Sequence, residues 1–166
     1  MKLLSLTALG LVCAMIGRYI AYRLGKRVRI LEKVELMFGV IESEIKFLNR
    51  PTIDLIRVLS EKEELCDLDF LPKCLSLVQS GEDISEAWAC AVSKSENTTG
   101  EDACILYSFG ESLGKSDSDG QIASCRYHEQ LVRDRLSEAR EIRKRYASLA
   151  CGLGMLCGIG VFIILF

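Results

Sequence analysis

Along this chain apolar residues recur at the three- and four-residue steps of an α-helix, and no run alternates in the manner of a strand. Leu31, Val34, Phe38, Ile41, Ile45 and Leu48 form one helix face, with Glu32, Glu35, Glu42 and Lys46 on the others. Asn49, Arg50 and Pro51 are expected to end that helix, because a residue preceding proline avoids the helical region. A second helix follows Thr52 through Ile53, Leu55, Ile56 and Leu59. A third runs from about Asp69 to Val78 and stops at Ser80 and Gly81. Asp83 followed by Glu86 predicts a capping box ahead of the stripe Ile84, Ala87, Trp88, Ala91 and Val92. Thr99 and Asp102 open a fifth helix that carries Ile105, Leu106, Phe109 and Leu113. After a loop over 114–120 the longest helix places Ile122, Cys125, His128, Val132, Leu136, Ala139, Ile142 and Tyr146 on one stripe. The fold class is therefore all-α.

The ends of the chain break this amphipathic pattern. Residues 147–166 carry no charge and follow Arg140, Arg143, Lys144 and Arg145, while Leu3 to Ile16 is apolar or neutral and precedes Arg18, Arg23, Lys26, Arg27 and Arg29. About twenty apolar residues at roughly 1.5 Å each match a hydrocarbon core of roughly 30 Å, which fits the last stretch. The first holds about fourteen and spans if Arg18 and Arg23 snorkel and it extends through Tyr19, Ile20 and Leu24. Transmembrane helices are therefore expected at both ends, the alternative for the first being a cleaved signal peptide. The expected division is a membrane segment with its basic flank over 1–27, a helical domain over 28–146 and a second span over 147–166. Basic residues flank the middle region on both sides, which the positive-inside rule assigns to the cytoplasm.

Charge narrows the partners. Residues 32–125 hold 19 acidic against 8 basic side chains, which disfavours nucleic acid and suits either a basic protein surface or a solvated face that keeps the domain off anionic lipid. The eight cysteines contain no C-x-x-C pair. They read as small apolar side chains rather than a disulfide or metal framework.

Candidate chemistry is sparse. The phrase GESLGKSD at Gly110 to Asp117 separates its glycines by three residues, one fewer than a phosphate loop requires, and follows a helix rather than a strand. His128 is the sole histidine and lies on an apolar stripe. Glu111, Asp117 and Asp119 precede a helix, where short acidic loops act as caps. No nucleophile, base and orienting group assemble from these residues, so neither catalysis, nor a cofactor, nor a metal is expected.

Taken together, "ESEIKF", "ISEAWACAV", "FGESLGKSDSDGQI" and the closing "RKRYASLACGLGMLCGIGVFIIL" resemble the stage III sporulation protein AB family. Its most specific pieces are Glu86-Ala87-Trp88 and the arrangement Leu113-Gly114, Ser116-Asp117, Gln121. One departure is Pro51-Thr52-Ile53, where the threonine is expected before the proline. That family is itself similar to the inner-membrane platform protein F of type II secretion systems. The resemblance implies an antiparallel six-helix bundle between two transmembrane helices, with Glu86, Trp88, Gly114, Asp117 and Gln121 as structural or interface residues. It further implies a non-enzymatic platform in the channel complex between mother cell and forespore, located at the mother-cell membrane. Its partners would be a companion cytoplasmic ATPase, other membrane proteins of the complex, membrane lipid, and a further copy of itself if it oligomerises. The competing reading is a structural or holin-like membrane protein without an ATPase partner.

Overall fold

In the computed structural model the residues described in full are 15–47, 51–98, 100–147 and 149; for 2–14, 48, 148 and 150–165 the backbone alone is described. Among the described residues six α-helices follow one another: α1 (Lys2–Leu48), α2 (Thr52–Glu61), α3 (Phe70–Gln79), α4 (Ile84–Ser93), α5 (Glu101–Ser112) and α6 (Ser118–Leu165). A 3₁₀ turn at Glu63–Leu65, which the periodicity does not reveal, links α2 to α3. No strand occurs among the described residues.

The expectation of transmembrane helices at both ends is corrected. Among the described residues no helix is long and apolar enough to cross a membrane. The described part of α1 is interrupted by Arg18, Arg23, Lys26, Arg27 and Arg29, and that of α6 by charges from Asp119 to Arg145. The apolar stretches that prompted the expectation, Leu3–Ile16 and Ala147–Phe166, lie almost wholly outside the residues described in full.

Two compact units are present, one formed by residues 1–28 with 137–166 and the other by 29–136. The second contains the polar and aromatic core. Leu31, Val34, Met37, Phe38, Ile41 and Ile45 of α1 are buried, as are Leu55, Ile56 and Leu59 of α2, so the three- and four-residue spacing does define the inward faces. Within this unit α1 and α6 are antiparallel. Glu42 pairs with Arg126 at 2.6 Å and Glu35 with Arg133 at 2.8 Å, one number falling as the other rises.

Aromatic rings tie the helices together. Phe70 of α3 meets Trp88 of α4 edge-on at 5.2 Å, Trp88 meets Phe109 of α5 at 5.6 Å, and Phe109 meets Phe38 of α1 at 4.8 Å. Edge-to-face contacts at these separations add to the gain from removing the rings from water.

Local signals set the helix ends. Pro72 falls in the first turn of α3, where a missing N–H costs nothing. Gly81, at φ 96°, ends the same helix in a Schellman motif: its N–H donates to Val78 O at 3.1 Å and that of Glu82 to Leu77 O at 3.2 Å. The expected capping box at α4 is half formed. Asp83 accepts from the Ser85 N–H at 3.0 Å, and no bond from the Asp83 N–H to the Glu86 carboxylate is found among the described residues. The expected stops at Asn49 and Arg50 and the cap at Thr99 lie outside the described residues.

Candidate interaction surface

The motif segment joining α5 to α6 is built as a helix start. Leu113 leaves the helical region (φ −68°, ψ 122°), and Gly114 then takes φ 76°, a conformation costly for any residue with a side chain. Asp117 is the N-cap of α6. Its Oδ1 accepts the Gly120 N–H at 3.1 Å and its carbonyl accepts the Gln121 N–H at 2.9 Å. The Gln121 side chain closes the turn, Nε2 donating to Ser116 O at 3.0 Å. Gly114, Asp117 and Gln121 are therefore brought together, and each is used for the geometry of the turn. Lys115 is exposed beside them.

Trp88 is 1 % exposed, and its Nε1–H donates to Leu106 O at 2.8 Å. Glu86, two residues earlier, is exposed. The partner of Trp88 that sequence reasoning overlooked is Gly110. A Cβ there would lie 2.3 Å from Trp88 Cδ1, so α5 presents bare backbone to the indole. A glycine inside a helical pattern was the available signal.

His128 is buried between α5 and α6. The Ser124 carbonyl, 2.8 Å from Nδ1, can only accept, so Nδ1 carries a proton, and Nε2 lies 2.9 Å from the Ser108 hydroxyl, which also reaches Ile105 O at 3.1 Å. A serine and a histidine at this distance form the first half of a nucleophilic pair. Ser108, however, sits inside α5, where neighbouring amides are committed to the helix and are not available to stabilise an oxyanion. The contact locks α6 against α5. Beside it, Ser112 and Ser124 hydroxyls lie 2.7 Å apart, and the crevice lined by Ile45, Phe109, Gln121 and Cys125 is too tight to admit water.

A polar clasp on Asp69 was also invisible in the sequence. Its carboxylate accepts from Lys73 Nζ at 2.8 Å, the Ser95 hydroxyl at 2.6 Å and the Glu96 N–H at 3.0 Å, while Lys73 Nζ also reaches Lys94 O at 2.7 Å. The end of α4 is thus tied to the start of α3. Burial pushes the Asp69 carboxyl upward, but these hydrogen bonds and the Lys73 charge outweigh it and hold the group below the ordinary carboxylate value.

The thiols divide by burial. Cys66 and Cys104 are exposed, whereas burial pushes Cys74 up to about 12 and, helped by Glu42 and Glu129, Cys125 also up to about 12. Thiols this protonated are poor nucleophiles and poor metal ligands. Among the described residues no three side chains of His, Cys, Asp or Glu come together in a metal-holding group.

Fold and surface together define an all-helical module in which the motif residues cap and clamp helices and the exposed faces are left for contact. The chain belongs to the stage III sporulation protein AB family, whose pattern it matches over residues 2–166. Its role accordingly lies in stage III of sporulation. No curated protein and no solved structure matches the chain.

Proposed function

We propose that the protein is a non-enzymatic platform component of the channel complex between mother cell and forespore, linking a companion cytoplasmic ATPase to the membrane assembly. The carrying observation is the use of the family's motif residues. Gly114, Asp117 and Gln121 build a turn and Trp88 a core, so the segment that looks most like a phosphate loop is occupied with holding α5 and α6 in place. Support also comes from family membership and from the acidic excess over 32–125, which suits a basic partner surface. In this proposal the helical domain is cytoplasmic and works at the mother-cell membrane facing the forespore. The likeness to the type II secretion platform enters as a resemblance of role.

The test is to mix the purified full chain with the companion ATPase, measuring binding by interferometry and nucleotide hydrolysis in parallel. Binding is expected to weaken as salt rises, because the screening length falls from about 10 Å at 0.1 M to about 3 Å at 1 M. The chain alone should release no phosphate. Hydrolysis by the chain that Lys115→Ala abolishes overturns the proposal.

A further inference from the structure

Along α1, Glu32, Leu36, Gly39 and Ser43 follow one another at steps of four, three and four, the spacing of a helix-packing seam, yet all four are exposed. Leu36 is 39 % exposed. Together with Glu35, Val40 and Glu129 of α6 they line an open groove of about 420 Å³. Its floor is aliphatic and low at the centre, since a Cβ on Gly39 would meet nothing within 4 Å. Glycine in that place allows another backbone to approach closely. The walls are acidic: three of the lining residues are carboxylates and none is basic. Two of these carboxylates already share Arg133, Glu35 at 2.8 Å and Glu129 at 2.6 Å.

We propose that this groove is a docking site for an amphipathic helix of a partner protein, one that sets a small or aliphatic residue over Gly39 and lysine or arginine along its flanks. Helix-in-groove recognition needs an apolar floor at helical spacing, which Leu36, Gly39 and Val40 supply. Charge chooses the occupant. A second copy docking through the same face would set carboxylates against carboxylates, so the self-pairing that a twofold contact requires is disfavoured here. A basic helix meets three carboxylates, two of which it shares with Arg133. The site is assigned by its own geometry, and it stands whether or not the partner is the ATPase.

The test uses the full chain and, as probe, a fluorescein-labelled synthetic helix of about five turns with alanine on its seam and lysine on both flanks, read by fluorescence anisotropy. Gly39→Arg fills the groove and adds a like charge at an exposed helical position with open space, so folding is expected to survive; circular dichroism checks this. Glu82→Arg makes a larger charge change on an exposed residue in the turn before α4. Binding at least about tenfold weaker in Gly39→Arg, with less than about twofold change in Glu82→Arg, is expected, a tenfold change being about 1.4 kcal/mol. Spore yield should fall in the first variant alone at equal protein abundance. Equal weakening in both variants would mean diffuse charge attraction and overturns the proposal. So does self-association of the parent chain in sedimentation that Gly39→Arg abolishes, since the groove would then hold a second copy.

Discussion

Replacing Gly110 by alanine tests the packing of α5 on α4 at its tightest point. The new methyl carbon would stand 2.3 Å from Trp88 Cδ1, 2.9 Å from Cγ and 3.0 Å from Nε1. The indole has nowhere to retreat, being edge-on to Phe70 at 5.2 Å and to Phe109 at 5.6 Å. Forcing a methyl group into a packed core costs about 1–3 kcal/mol. If the indole rotates, its bond to Leu106 O is lost, and a buried donor left without a partner costs about 1–3 kcal/mol. Alanine in a helix recovers about 1 kcal/mol relative to glycine. With the indole rotated the expected net loss is about 1–5 kcal/mol, its midpoint a fall in Tm on the order of 10 °C. Urea unfolding followed by circular dichroism and by the fluorescence of the sole tryptophan measures it. In a Trp88→Phe background the smaller ring makes room, so Gly110→Ala should cost less by about 1–2 kcal/mol, a coupling that a double-mutant cycle isolates. A Gly110→Ala protein as stable as its parent, or an identical cost in both backgrounds, refutes the close contact.

Trp88→Ala should remove about 3–5 kcal/mol of stability, measured by the same unfolding curves, and partner binding should fall only in proportion to the unfolded fraction. Asp69 has a folded-state pKa below its unfolded value, so its contribution is present above the ordinary carboxylate pKa and is lost as pH falls through the lower folded value. Asp69→Asn should thus destabilise the protein at neutral pH, with the gap to the parent closing in acid titration; a gap that stays constant refutes this. In native protein a thiol reagent should modify Cys66 and Cys104 and spare Cys74 and Cys125 until denaturant is added, as peptide mass mapping will show.

Helix identity was legible because burial follows a simple period. The stripes at Leu31 to Ile45 and at Cys125 to Leu136 face inward as their spacing demands. The motif turn was legible in part: Asp117 before a helix announces a cap, but the reach of Gln121 back to Ser116 depends on coordinates. Ties between distant residues left no local signal. Nothing near Asp69 in the sequence points to Ser95, and nothing near Glu42 points to Arg126. The 3₁₀ turn after α2 was missed because three residues are too few to show a period. At the ends of the chain, apolar composition alone prompted an expectation that the described helices, with their recurring charges, do not meet.

The clamp between α1 and α6 has a consequence for the protein's birth. Glu42 must wait 84 residues for Arg126, and Glu35 must wait 98 for Arg133. At a synthesis rate of about 5–20 residues per second, 84 residues take about 4–17 s. During that interval α2 to α5 can settle on one another, while Glu35 and Glu42 of α1 still lack the arginines of α6 that pair with them. The nascent chain therefore holds α1 without its cross-helix ion pairs until the last helix has been made, and the clamp closes only then.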